Sequence, residues 1–152
     1  MTDMTIYALE DTSVLAFVVE LFSDTPFVSV VEEYPDSDLN IPTISVEQGI
    51  SDFNQYELGN RGQIRNRQYI INVFASSVAM RNEFAYRIAD ALKNKIPVYN
   101  YNEGFPPDVT PSLVERLDVK TQRIQPIPLD TDLLEKLYYR TMIKFIATND
   151  RD

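Results

Sequence analysis

From Arg67 to Phe74 the chain reads "RQYIINVF", with apolar residues in both phases of a two-residue period: Tyr69, Ile71 and Val73 in one, Ile70 and Phe74 in the other. Strict alternation marks a strand, and apolar side chains on both faces demand cover on both sides. The segment therefore predicts a central strand, not an edge. Ser76 and Ser77 follow as ready N-caps, because a side-chain oxygen there accepts from the free first-turn amides. They open a helix predicted over about 77–94, with Met80, Phe84, Ile88, Ala91 and Leu92 as its apolar stripe and Glu83 with Arg87 as an i,i+4 pair on the wet side.

The remaining elements assemble around this centre. Val14, Phe17, Val18, Leu21 and Phe22 recur at helical spacing, predicting a first helix over about 5–23 that breaks near Glu10, with Asp11, Thr12 or Ser13 as cap. "SDTP" ends it, since Pro26 turns Thr25 away from helix. Strands are predicted at 27–31, at 42–48 (closed by Gly49), at 96–101, at about 114–126 and at about 134–148, where Leu137, Tyr139, Thr141, Ile143, Phe145 and Ala147 share a face. "NEGFPPDVTP" is loop, with three prolines and a glycine in ten residues. The order α-β-β-β-α-β-β-β, with strands in runs, predicts a single α+β domain over 1–152: a mostly antiparallel sheet with two main helices packed on it.

Charge is segregated along the chain. Residues 1–57 hold twelve acids and no base, residues 58–82 hold four arginines and no acid, and residues 83–152 are close to balanced, for a net charge of −9. A bulk charge this negative opposes nonspecific binding to nucleic acid or anionic membrane, and the acidic block fits a basic partner, another copy of the chain included. No apolar run approaches the ~20 residues that cross a bilayer. The start "MTDMTIYALED" lacks a basic leader, and the absence of cysteine agrees with a cytoplasmic site of synthesis.

Catalytic and metal chemistry finds few candidates. The chain has no histidine and no cysteine, which excludes imidazole bases, Ser-His and Cys-His nucleophiles and thiolate metal sites. There is no phosphate-cradling glycine motif. Asp36, Asp38, Asn40 and Glu47 match a calcium-loop spacing, but Ile41 stands where the sharp turn needs glycine and Glu47 falls in a strand. The pairs Glu32 with Glu33 and Asp130 with Asp132 have nothing apolar around them to raise a pKa. Tyr99, Tyr101 and Phe105 stand in the pattern of core or interface packing. The expectation is a non-catalytic protein with no cofactor.

The segment between the strands at 42–48 and 66–75 is far longer than the two to five residues of an ordinary hairpin loop. Extended as two arms of about eight residues, it protrudes roughly 25 Å at ~3.3 Å per residue. An arm so polar cannot bury itself on its own domain and needs a partner. Phe53, Tyr56, Leu58 and Ile64 form a sparse apolar side together with Ile50, and Arg61, Arg65 and Arg67 alternate on one face, positioned to meet carboxylates of the acidic block on an adjacent subunit. Such a heterologous contact closes into a ring when the rotation allows.

The element order and these segments resemble the tail terminator (tail completion) and neck proteins of long-tailed bacteriophages. The likeness lies in the leading helix "TSVLAFVVELF", the Pro-led strand "IPTISVE" entering a long hairpin, the pair "RNRQYIINVFASS" and "VAMRNEFAYRIADALKN", and the closing strand "LYYRTMIKFIA". It spans about residues 10–148. The resemblance implies a structural virion protein at the head–tail junction, assembled in the host cytoplasm. It implies a homohexameric ring that ends the tail tube, joins the tube protein to the head connector, and leaves a channel through which DNA passes without specific binding. No membrane is involved. The 50–67 arm would supply the subunit interface, and Phe105, Pro106 and Pro107 would lie in a partner-docking loop. Other readings are a different neck or head-completion protein, an acidic inhibitor or immunity-type protein that masks a basic partner, and a small-ligand enzyme without histidine.

Overall fold

The computed structural model describes residues 4–32, 42–55, 63–127 and 139–150, the side chains of 50, 52–55, 63, 64 and 150 excepted. Two helices, α1 (Ile6–Leu21) and α2 (Val78–Ala91), accompany six strands: β1 (Ser29–Glu32), β2 (Thr43–Gln55), β3 (Gln63–Ala75), β4 (Ile96–Tyr99), β5 (Leu113–Ile127) and β6 (Tyr139–Asp150). The strands form one sheet in the order β1-β2-β3-β6-β5-β4, parallel only between β1 and β2. The α+β class, the element order and the mostly antiparallel sheet follow the expectation.

β3 lies inside the sheet between β2 and β6. Its first phase, Tyr69, Ile71 and Val73, is buried in one core with Val14 and Val18 of α1, Phe84 and Ile88 of α2, and Ile143 and Phe145 of β6. Its second phase is closed differently. Phe74 is buried under the Arg140 guanidinium, 5.5 Å from the ring centroid. Buried Asn72 donates to Ser45 Oγ and Glu47 Oε2 (both 3.2 Å) and accepts from Arg140 Nη2 (2.9 Å). An amide with both ends engaged replaces part of the apolar cover that the alternation calls for.

α2 starts where expected, Ser77 Oγ accepting from the Met80 amide at 3.1 Å. α1 differs in two ways. It runs unbroken through Glu10, and its cap is Thr5, whose hydroxyl accepts from the Ala8 amide. Residues 11–13 lie inside the helix and serve tertiary contacts instead: Ser13 Oγ accepts from the Tyr99 amide (3.1 Å), tying α1 to β4. Arg87 also departs from expectation. It reaches off α2 to Asp24 (2.6 Å) and the Leu21 carbonyl (2.9 Å), with its guanidinium over the Phe22 ring, and so latches the end of α1 to α2. This partner set combines a carboxylate, a helix-end carbonyl and an aromatic face, more than an i,i+4 carboxylate alone offers.

β4 is shorter than expected because the chain leaves it into a 3-10 turn at Tyr101–Glu103, and Pro97 is tolerated because β4 is an edge strand. The turn ends at Gly104, at φ +136° and ψ −179°, a region essentially reserved for glycine. A Cβ there would stand 2.7 Å from Val109 Cγ2. Gly104→Ala is expected to lower stability by about 1–3 kcal/mol in denaturant unfolding, through strain in the loop that follows.

The largest gain over the sequence reading is at the hairpin. β2 continues past Gly49, with a bulge between Gln48 and Ser51, and pairs with β3 out to Gln55↔Gln63. Pairing of β3 with β6 stops at Asn66↔Thr148. Beyond that point the Arg65 amide donates to the Asn149 side chain (2.7 Å) instead of continuing the ladder. The rows Asn54↔Ile64 and Gln55↔Gln63 therefore leave the sheet as a two-stranded ribbon.

Candidate functional site

The root of that ribbon is a buried charge cluster. Alternate positions of a strand share a face, so Arg65, Arg67 and Tyr69 of β3 point together toward α1. Glu10 of α1 is fully buried between the two arginines. Its Oε2 accepts from Nε and Nη2 of Arg65 (3.3 and 3.2 Å), and its Oε1 accepts from Nη1 of Arg67 (2.8 Å). Arg65 Nη2 also reaches both oxygens of Glu115 on β5 (2.7 and 2.9 Å). Arg67 extends its Nη2 to Asp11 Oδ1 (2.7 Å) and its Nε to Ser51 Oγ (2.8 Å). Tyr69 donates its hydroxyl to the same Asp11 oxygen at 2.8 Å. One cluster thus ties α1, β2, β3 and β5 together at the point where the ribbon departs.

This corrects the expected role of two arginines. Arg65 and Arg67 do meet carboxylates of the acidic first block, but those carboxylates belong to the same chain. The physical reason is that α1 crosses the face of β3 on which both side chains stand, and only 9% of Arg65 and 4% of Arg67 is exposed. Their forked donors are spent inside the subunit. Of the other expected arm residues, Phe53 and Ile64 are placed by backbone alone, opposite Arg65 and Asn54 respectively. Tyr56, Leu58 and Arg61 lie outside the described residues.

Three carboxylates face two guanidiniums, so the cluster carries one excess negative charge when all are ionised. Burial pushes the Glu10 carboxyl up from its ordinary value of 4.5 to about 7, with the neighbouring Glu115 carboxyl adding to the rise and Arg65 opposing it. Burial, reinforced by Asp11, likewise raises the Tyr69 phenol, which stays a donor. A carboxyl whose folded pKa is raised binds its proton more tightly when folded. Its contribution to stability is full below 4.5 and is lost as pH rises through about 7. Comparing unfolding free energies of wild type and Glu10→Gln across pH isolates this effect. The wild-type advantage is expected to shrink from pH 4.5 to 7 and then stay flat, whereas a pH-independent difference contradicts the assignment.

A second feature lies on the far half of α1. The run "SVLAFVVELF" is apolar nearly all round, and a helix of that kind needs cover on more than one side. The sheet covers Val14 and Val18, while Leu15, Phe17 and Val19 turn toward the 104–111 loop. Between them lies an open groove of about 580 Å³, walled opposite by Tyr99, Tyr101 and Phe105. The Tyr101 and Phe105 rings stack with centroids 5.1 Å apart, and Phe105 remains 54% exposed. Of the expected docking residues, Phe105 and Pro106 line this groove, and Pro107 sits exposed in the same turn.

Among the described residues no group of acids has the arrangement of a metal site, and no helix is long and apolar enough to cross a membrane. Glu47 stands in β2, whereas Asp36, Asp38, Asn40, Glu33, Asp130, Asp132 and Leu137 fall outside the described residues. Sequence reasoning passed over Glu10, Asp11, Tyr69 and Glu115 as a unit. One signal was available: Glu10 lies four residues before Val14, on the buried stripe of α1, and a charge there demands a buried counter-charge.

No family model matches the chain, and no curated protein matches it. Among solved structures the chain is similar to one from the virion of a native gene transfer agent particle, at 17% identity, covering 95% of this chain and 90% of that one, with a TM-score of 0.43.

Proposed function

We propose that the protein is a structural subunit of a ring at the head–tail junction of a long-tailed phage particle. The ring ends the tail tube, joins it to the head connector and leaves a channel for DNA. The observation that carries this reading is the ribbon at the end of β2 and β3, which leaves a six-stranded sheet after its last β6 partner. A two-stranded hairpin is marginal by itself in water, and here its root is locked in place by Glu10, Arg65 and Arg67 while, among the described residues, no third strand pairs with its outer rows. A rigid root with an unsupported end is the design of an element completed by a neighbour. The apolar residues of the arm (Phe53, Tyr56, Leu58, Ile64) and Arg61 supply the subunit contact in this reading. The groove at Phe105 and Pro106 supplies a surface for the tube or connector protein, since an exposed aromatic-lined concavity marks a protein contact.

Growing tail tube tests this directly. Tube subunits polymerised with the full-length chain are expected to stop lengthening and to carry a ring at the tip, while a variant lacking residues 52–64 leaves growth unchecked. Tubes that lengthen equally with and without the full-length chain refute the terminator role.

A further inference from the structure

The sheet has two incompletely covered edges, one at each end. β1 pairs with β2 only over Thr43–Val46, so among the described residues no strand lies beside the outer edge of β2 from Glu47 to Gln55. β4 pairs with β5 only over Leu113–Leu117, so the outer edge of β5 from Val119 to Ile127 is open in the same sense. A bulge interrupts each open edge, between Gln48 and Ser51 in β2 and between Val119 and Thr121 in β5, and Pro126 cannot donate to a ladder. The regular open stretches are thus Ser51–Gln55 and Thr121–Gln125, each close to the length of an ordinary strand.

These two edges are complementary in charge. Glu47–Gln55 reads "EQGISDFNQ", with two acids and no base, and Val119–Ile127 reads "VKTQRIQPI", with two bases and no acid. Arg123 is exposed and stands directly opposite Lys144 of β6, a like-charge pair that an anionic neighbour relieves. The directions also match. β2 runs antiparallel to β3, β3 to β6 and β6 to β5, so β5 runs antiparallel to β2. A sheet continued from the β5 edge of one copy to the β2 edge of the next therefore meets it as an antiparallel ladder.

We propose that Ser51–Gln55 of one copy adds as a strand to Thr121–Gln125 of a second copy, with Asp52 opposite Arg123, so that one sheet runs on from subunit to subunit. The proposal rests on the ring reading and names the surface that receives the base of the arm. Its geometry is consistent with closure. Arg123 is level with Ile70 of β3 through Lys144, and Asp52 is level with Asn66, an offset of four β3 residues or ~13 Å. The repeat β2-β3-β6-β5 is four strands wide, ~19 Å at ~4.8 Å per strand. Each step then needs strands tilted ~35° from the ring axis, which matches the lower end of the ~35–45° found where sheets close on themselves.

The chain has no cysteine, so a pair can be introduced without background. In the full-length Phe53→Cys/Gln122→Cys variant the two positions are separated within a subunit by β3 and β6 and can join only between copies. Oxidation is expected to give a ladder of covalent multimers whose mapped peptides join 53 to 122. Arg123→Glu is expected to weaken assembly roughly tenfold, and adding Asp52→Lys to restore it. Assembly that proceeds with no 53–122 link and with Arg123→Glu unaffected overturns the edge pairing while leaving the arm-dependent ring intact. Normal assembly after deletion of residues 52–64 instead overturns the ring reading from which the pairing starts.

Discussion

Glu10→Ala is expected to lower the unfolding free energy by about 3–5 kcal/mol, the cost of removing one member of a buried ion cluster and leaving the others uncompensated. The side chain is fully buried and accepts three hydrogen bonds from two guanidiniums, so its removal strands donors of Arg65 and Arg67 away from water. The midpoint of urea unfolding should shift with little change in slope. Replacing Glu10, Arg65 and Arg67 together by Leu, Met and Met, with Asp11→Asn and Glu115→Gln so that neither carboxylate is left without its guanidinium, is expected to recover most of the loss, because the charges and their desolvation are removed together. If this fivefold replacement is as unstable as Glu10→Ala, the cost lies in something other than uncompensated charge.

Phe145→Ala is expected to cost about 3–5 kcal/mol by opening a cavity in the centre of the core. Phe145 is 1% exposed, sits opposite Tyr69 in the β3–β6 register, and stacks on it with ring centroids 5.6 Å apart. That ring also holds the Tyr69 hydroxyl against Asp11, so the core and the charge cluster share a residue. Residues in contact fail to add. A double-mutant cycle of Phe145→Ala with Tyr69→Phe should therefore show a coupling above ~0.5 kcal/mol, and simple additivity would separate the core from the root of the ribbon.

The fold was legible wherever period and punctuation acted locally. The two phases of β3 announced an interior strand, Ser77 announced the start of α2, and the prolines after Gly104 announced the loop. The failures share one cause: a polar residue can satisfy a local rule or a distant partner, and sequence shows only the local option. Asp11 and Ser13 looked like caps but serve Arg67, Tyr69 and the Tyr99 amide. Glu83 looked like the partner of Arg87, which instead takes Asp24 across two elements. Arg65 and Arg67 were correctly read as strand neighbours seeking N-terminal carboxylates, yet nothing in one dimension says whether that N-terminus is the chain's own. The groove was half legible: Phe105 and Pro106 stood out as a loop, but the helix face opposite them, Leu15, Phe17 and Val19, was counted with the buried stripe or left aside.

Internal pairing of Arg65 and Arg67 narrows what the arm can contribute to assembly. The side chains of Arg65 and Arg67 serve the subunit's own stability, and any role between subunits falls to the open edge of β2 at the root and to the stretch beyond it. Cutting within 52–64 should accordingly leave the core and the Glu10–Arg67 half of the cluster standing while removing the contact, whereas Glu10→Ala should weaken the subunit first.

Light scattering on the purified full-length chain and on the variant lacking residues 52–64, each alone and with tail tube, decides whether the arm builds a ring. A defined oligomer is expected for the full-length chain, at the latest when tube is added, and a folded monomer for the deletion under the same conditions. A full-length chain that stays monomeric throughout, or a deletion variant that assembles to the same mass, would contradict an arm-built ring.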